Sequence, residues 1–249
     1  MHYSVAVVFN NINDIDNEVA KLLSPYDENL QVTPYIEMTV SEIINHTKRL
    51  KETAIKEKYD SKFLTCETDN EFYQKFIEDY EDKFIDESGN LLTTYNPNSK
   101  WDWWSFGGRF VNDNYIALKD GSYTNVARLG DIDWDNMLDD DTDWSRNWDL
   151  YMGAEPVTEE EQQFIKLNIY SKEYYLNKYG NKQNYINTHN KWCTYAMCNL
   201  DGWFEQGKMG WFIDDSNVES LNNYMNYFYN YLIDPKNQDK YITVVDCHI

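Results

Sequence analysis

Short apolar runs and helical-period stripes alternate along this chain without a regular β-α-β order. His2 to Phe9 carries the β-formers Val5, Val7, Val8 and Phe9 in a short apolar run, which predicts a buried strand. A short helix is expected over Ile15 to Leu23, ended by Ser24-Pro25, and an extended stretch over Gln31 to Met38, where Pro34 forces Thr33 toward β.

Four S/T-x-x-E capping boxes stand before apolar stripes at helical spacing: Thr39/Glu42, Thr68/Glu71, Thr158/Glu161 and Ser216/Glu219. They predict helices over Val40–Lys58, Asp69–Phe84, Glu159–Tyr179 and Asn217–Ile233. The second places Phe72, Phe76 and Tyr80 on one face, and the last does the same with Tyr224, Phe228 and Tyr231.

Two D-G turns predict hairpins, Tyr115–Lys119 with Tyr123–Leu129 and Trp192–Leu200 with Trp203–Phe204. Tyr241 to Ile249 reads as a closing strand. The expected fold is α+β, a mainly antiparallel sheet with helices packed on one side and the N- and C-terminal strands adjacent. No Pro- or Ser-rich linker and no repeat breaks the chain. A single domain over 1–249 is expected, with an acidic Asp/Trp-rich insertion at about 131–149.

Composition changes this picture in two ways. The core draws on aromatics, with 9 Trp, 21 Tyr and 11 Phe in 249 residues. The net charge of −21 opposes general binding to nucleic acid or anionic membrane and leaves a basic partner open. Eight Asp fall in Asp131 to Asp149, where Asp131, Asp133, Asp135, Asp139, Asp140, Asp141 and Asp143 form a candidate partner-binding acidic face. The same run lacks the glycine of a calcium loop, so a surface loop pinned by Trp134, Trp144 and Trp148 is the alternative. Cys66, Cys193, Cys198 and Cys247 form no C-x-x-C pair and read as reduced, partly buried thiols. The N-terminus has no signal-peptide pattern and no stretch has the length of a membrane span.

Three segments carry candidate chemistry. In Asn96 to Phe110, Gly107 and Gly108 allow close backbone approach beside Arg109, while Trp101 and Trp103 offer stacking faces and Asp102 a carboxylate. That set suits a nucleotide-like ligand; an internal Asp102–Arg109 pair within an aromatic core is the plainer alternative. Gln206 to Phe212 sets Lys208 between glycines beside Trp211, which is either a phosphate contact or a bulged turn. In Val244 to Ile249, Asp246 and His248 share a strand face. If the terminal strands pair, His2 joins them as an acid–base or facial metal set. Strand ends meeting at a surface are the plain alternative. No cofactor is expected.

The start Met1 to Val8, Ser24 to Asn29, Asn96 to Phe110, Gly207 to Trp211 and Val245 to His248 together resemble a family of uncharacterised accessory proteins encoded by tailed bacteriophages. The resemblance covers both ends and the middle, and is weaker from Asp131 to Asn190. It implies a protein acting in the cytoplasm of a host bacterium, and it supplies no catalytic residue. Combined with the charge, it leads to an expected counter-defence role: binding and inhibiting a basic host nucleic-acid-processing protein or ribonucleoprotein, in the manner of an anti-CRISPR inhibitor. The alternative is a nucleotide-directed enzyme or nucleotide-sequestering protein using the Trp101–Arg109 and Asp246–His248 segments.

Overall fold

The computed structural model describes residues 1–110, 116–137, 142–208 and 214–249, and of Asp82 the backbone. In chain order the strands and helices are β1 (His2–Phe9), α1 (Ile15–Leu23), β2 (Tyr35–Met38), α2 (Val40–Glu57), α3 (Asp69–Ile77), β3 (Leu91–Thr93) and β4 (Trp103–Phe106). There follow β5 (Ile116–Ala117), β6 (Tyr123–Thr124), β7 (Val126–Arg128), α4 (Trp144–Tyr151), α5 (Glu159–Leu167), α6 (Lys172–Tyr179) and α7 (Lys182–His189). The chain closes with β8 (Ala196–Asn199), β9 (Gly202–Glu205), α8 (Val218–Ile233) and β10 (Tyr241–His248). The fold is α+β, and its described residues group into two compact units, Met1–Glu28 with Asn98–Ile249, and Asn29–Pro97.

The larger unit is built on a sheet of order β4-β10-β1-β8-β9, with β7 also pairing β10. All pairings are antiparallel except β1 with β8. The two terminal strands are neighbours over their full length, from His2 opposite His248 to Phe9 opposite Tyr241. They occupy the middle of the sheet because their central residues, Val5–Phe9 and Ile242–Val245, are largely apolar in both directions, and such a run is stable only when both faces are covered.

Coverage of both faces corrects the expectation of helices on one side. Tyr3, Val5, Val7 and Phe9 pack with Val19 and Leu23 of α1. Ala6, Val8, Ile242 and Val244 pack on the other face with Tyr224, Phe228, Tyr231 and Leu232 of α8. Helices α4, α6 and α7, with Leu221 of α8, bury a further aromatic cluster of Trp148, Tyr175, Tyr179 and Tyr185.

The smaller unit carries α2, α3 and the β2–β3 pair. Both helices start at the expected boxes, with Thr39 capped reciprocally by Glu42 and Thr68 by Glu71. Its core is Phe63, Cys66 and Phe72 with Leu50 and Phe76.

Several expected elements are redrawn. The helix from Asp69 ends at Ile77, not Phe84. Glu78, Asp79 and Glu81 would crowd negative charge onto a helix C-terminus that already carries a negative dipole end. The segment Glu159–Tyr179 is two helices. Asn168 exchanges hydrogen bonds with Tyr170 at 3.0 and 3.1 Å, and Ser171 caps the second helix. The last helix is capped by Asn217 with Ser220 in place of Ser216 with Glu219. In the first hairpin β5 pairs with β6, and Tyr115 lies outside the described residues.

Candidate functional site

Because β1 and β10 are antiparallel neighbours in register, even-numbered residues of both strands point to the same face at this end of the sheet. His2 therefore stands opposite His248, with Asp246 two residues along. On the other side of β10, β4 sets Trp103 opposite His248 and Ser105 opposite Asp246. The register alone brings His2, His248, Asp246 and Trp103 onto one patch.

Each histidine has its own carboxylate. His2 Nδ1 lies 2.9 Å from Asp246 Oδ1, and His248 Nδ1 lies 2.8 Å from Asp102 Oδ1. A carboxylate accepts and has no hydrogen to give, so each Nδ1 donates and each neutral ring keeps its basic lone pair on Nε2. The two rings touch edge to face with centroids 4.9 Å apart. Trp103 stacks on His248 at 5.4 Å and 13°, and meets His2 edge-on at 5.1 Å.

The two dyads differ in burial. Asp246 is 1% exposed, and its second oxygen accepts the Arg109 backbone N–H at 2.9 Å. Both oxygens of this buried carboxylate are thereby satisfied, which its burial requires. The turn that delivers the amide is Gly107-Gly108, with φ of +67 and +52. A Cβ on Gly108 would overlap the Asp246 carboxylate. The outer dyad is more open, with His248 and Asp102 about one third exposed, at 32% and 37%. Asp102 is also fixed through its backbone N–H, which donates to His248 O at 2.9 Å.

The sequence candidates divide accordingly. His2, Asp246, His248, Asp102, Trp103, Gly108 and the Arg109 amide converge. Asp102 meets His248 Nδ1, and the Arg109 side chain, which the sequence offered as an alternative partner for it, is exposed. Trp101 is corrected from stacking surface to core: it is 7% exposed, and its Nε1 donates to Leu23 O at 3.2 Å. Gly107 is buried and donates to Val244 O at 3.2 Å. Lys208 follows β9 at the same end of the sheet, two strand spacings or about 10 Å from β1. Its backbone N–H donates to Asp215 Oδ1 at 2.5 Å. Trp211 lies outside the described residues.

The facial metal set is not what this geometry provides. Among the described residues no group of three His, Cys, Asp or Glu side chains is placed to hold a metal ion. Each Nδ1 is taken by a carboxylate and each Nε2 is left for proton exchange.

The acidic segment is partly spent on internal contacts. Asp131 pairs with Arg128 at 2.8 Å, Asp143 caps α4, and Asp149 pairs with Lys182 at 2.7 Å. Asp133 accepts from Asn136 at 2.7 Å. Asp139, Asp140 and Asp141 lie outside the described residues. Asp135 lines a cleft of about 300 Å³ with Trp134, Asn190, Lys191, Trp192 and Tyr229. None of the dyad residues lines that cleft.

Burial raises the thiols of Cys193 and Cys247 far above their ordinary range and pushes Cys198 up to about 12, so none of the three is a nucleophile at neutral pH. Among the described residues no helix is long and apolar enough to cross a membrane.

No protein-family model, no characterised protein and no solved structure matches the chain.

Sequence reasoning missed the Asp102–His248 contact and the role of Gly108. The signal for the first was the alternation in Trp101-Asp102-Trp103-Trp104, which continues into a strand beside β10. The signal for the second was a Gly-Gly pair ahead of an arginine, a place where backbone can approach a buried acid.

Proposed function

We propose that this chain is a nucleotide-directed enzyme acting on a phosphate ester, with His2 and His248 as the proton-handling pair. The observation that carries this reading is the contact between two histidines whose Nδ1 atoms are each taken by a separate carboxylate. Two such rings side by side present two Nε2 atoms, and a substrate spanning both meets a proton acceptor and a proton donor together. A state with one ring neutral and one protonated avoids repulsion between adjacent imidazoliums, and that is the state acid–base exchange uses.

The surroundings favour a nucleotide. Trp103 is 44% exposed and offers a ring surface for a base beside the histidines. Arg109 is an exposed guanidinium whose own amide is pinned at the inner dyad, within reach of a phosphate. The charge of −21 disfavours long polyanions and favours a small ligand with few phosphates.

The test is turnover of p-nitrophenyl esters of nucleoside monophosphates. Wild type is expected to release p-nitrophenolate, and His2→Asn to lose about 10²–10⁴-fold in rate. Equal rates for wild type and His2→Asn would remove the reading.

The counter-defence inhibitor reading draws on the net charge and the exposed Asp135. It predicts capture of a basic host protein or ribonucleoprotein that weakens steeply between low and high salt. A capture insensitive to salt would sink it. The internal use of Asp131, Asp143 and Asp149 makes the dyad site the better supported of the two.

A further inference from the structure

We infer that the site works by covalent catalysis, with His2 Nε2 as the nucleophile at phosphorus and His248 as the proton donor to the leaving oxygen. This rests on the reading of the patch as a site for a nucleotide phosphate ester.

Spacing is the first argument. A base and an acid that serve a direct attack by water stand at opposite ends of an in-line O–P–O axis, each a hydrogen bond of about 3 Å beyond it. Rings in edge contact, with centroids 4.9 Å apart, are close for that span. A histidine that bonds phosphorus itself removes one oxygen and one hydrogen bond from the axis. The adjacent ring then reaches the leaving oxygen.

Asymmetry assigns the roles. A nucleophilic imidazole must be held in one tautomer and orientation, and it becomes cationic once Nε2 carries phosphorus. His2 meets both needs. Its side chain is 14% exposed, and its Nδ1 is tied to Asp246, a buried carboxylate fixed by the Arg109 amide. That carboxylate offsets the charge formed on the ring. An acid that also serves as base must exchange protons with water between steps. His248, at 32% exposed beside an open Asp102, is placed to do so.

In the first step the His2 Nε2 lone pair forms an N–P bond as the ester P–O bond breaks. The electron pair of that bond passes to the leaving oxygen, which takes the Nε2 proton of His248. In the second step water attacks the phosphorus and gives a proton to His248 Nε2. The N–P bond breaks and its pair returns to His2. One water is consumed, the ester becomes a phosphate and an alcohol, and both rings are restored.

The test uses the full chain and the p-nitrophenyl ester of thymidine 5′-monophosphate, a substrate whose leaving group needs no proton. Wild type is expected to show a burst of p-nitrophenolate stoichiometric with protein. An acid-labile nucleotidyl adduct should map to His2 in digests kept at alkaline pH. His248→Asn should keep the burst, accumulate the adduct and slow steady turnover by about 10²–10⁴-fold, because the attacking water has lost its base. His2→Asn should show neither burst nor adduct. A measurement on wild type alone guards against misfolded variants: a chiral phosphorothioate ester hydrolysed in oxygen-isotope-labelled water should be cleaved with retention at phosphorus, the result of two displacements. Turnover with inversion and no adduct would overturn the covalent step while leaving the ester reading in place. Absence of any turnover would overturn both.

Discussion

A side chain at residue 108 would collide with the Asp246 carboxylate, and that one steric fact ties the Gly-Gly-Arg turn to His2. Gly108 also sits at φ +52, where a Cβ adds strain of about 1–3 kcal/mol. Gly108→Ala is therefore expected to lower stability in urea titrations by more than the strain alone, since Asp246 must also shift, and to reduce turnover as well. Loss of stability without loss of turnover would separate the turn from the site. Asp246→Asn should be more selective. It keeps the volume but turns an amide N–H₂ toward one of two existing donors, so His2 loses its fixed orientation, and turnover should fall by about 10²–10⁴-fold. The site was half legible in the sequence. A spacing of two placed Asp246 and His248 on one strand face, and pairing of the terminal strands was enough to bring His2 beside them. Asp102 was not legible as a histidine partner, because its position depends on which strand borders β10, and no local pattern encodes that choice.

At the scale of elements, a buried ion pair joins α6 to the segment before α8. Lys178 and Asp214 meet at 2.6 Å, with side chains only 9% and 6% exposed. Tyr174 and Tyr195 hydroxyls and the Ser216 amide complete the shell of Asp214 at 3.1, 3.1 and 2.9 Å. Removing one member leaves the other charge buried, so Lys178→Met should cost about 3–5 kcal/mol of unfolding free energy. Burial pushes the Asp214 carboxyl up, but the Lys178 charge and the hydrogen bonds outweigh it and hold the group below its ordinary value. A carboxyl held low in the folded state stabilises above its unfolded pKa, and that contribution is lost as pH falls through the folded value. Glu161, drawn down to about 2 by Arg146 and the Val157 amide, acts in the same direction. Acid titration followed by tryptophan fluorescence should thus show the α4–α7 aromatic cluster loosening below about pH 4, and the Asp214→Asn protein should lack part of that transition. Capped helix starts were legible here because Thr and Glu report their own geometry. The break at Asn168 was not, since the aromatic stripe continues across it and only the Asn168–Tyr170 hydrogen bonds interrupt the helix.

For the whole molecule, 43 acids against 22 bases produce self-repulsion that salt screens. The melting temperature should rise from a few millimolar salt to about 0.15 M, where the screening length falls to about 8 Å. A melting point that falls over this range would mean that the short-range pairs outweigh the net repulsion. The sheet was legible in kind, because β1 and β10 each hold an apolar stretch, Val5–Phe9 and Ile242–Val245 with Thr243, that has few other ways to be buried. Its coverage on both faces follows from the same runs, whereas the boundaries of the Asn29–Pro97 unit carry no linker composition to announce them. The central claim, a two-histidine site for a nucleotide, is tested most directly by the chain's own four histidines, His2, His46, His189 and His248. Long-range proton–nitrogen spectra of histidine-labelled protein should show His2 and His248 protonated at Nδ1. On titration with nucleoside monophosphates both should shift together while His46 and His189 stay in place. Resonances of His2 and His248 that hold still throughout that titration would contradict the account.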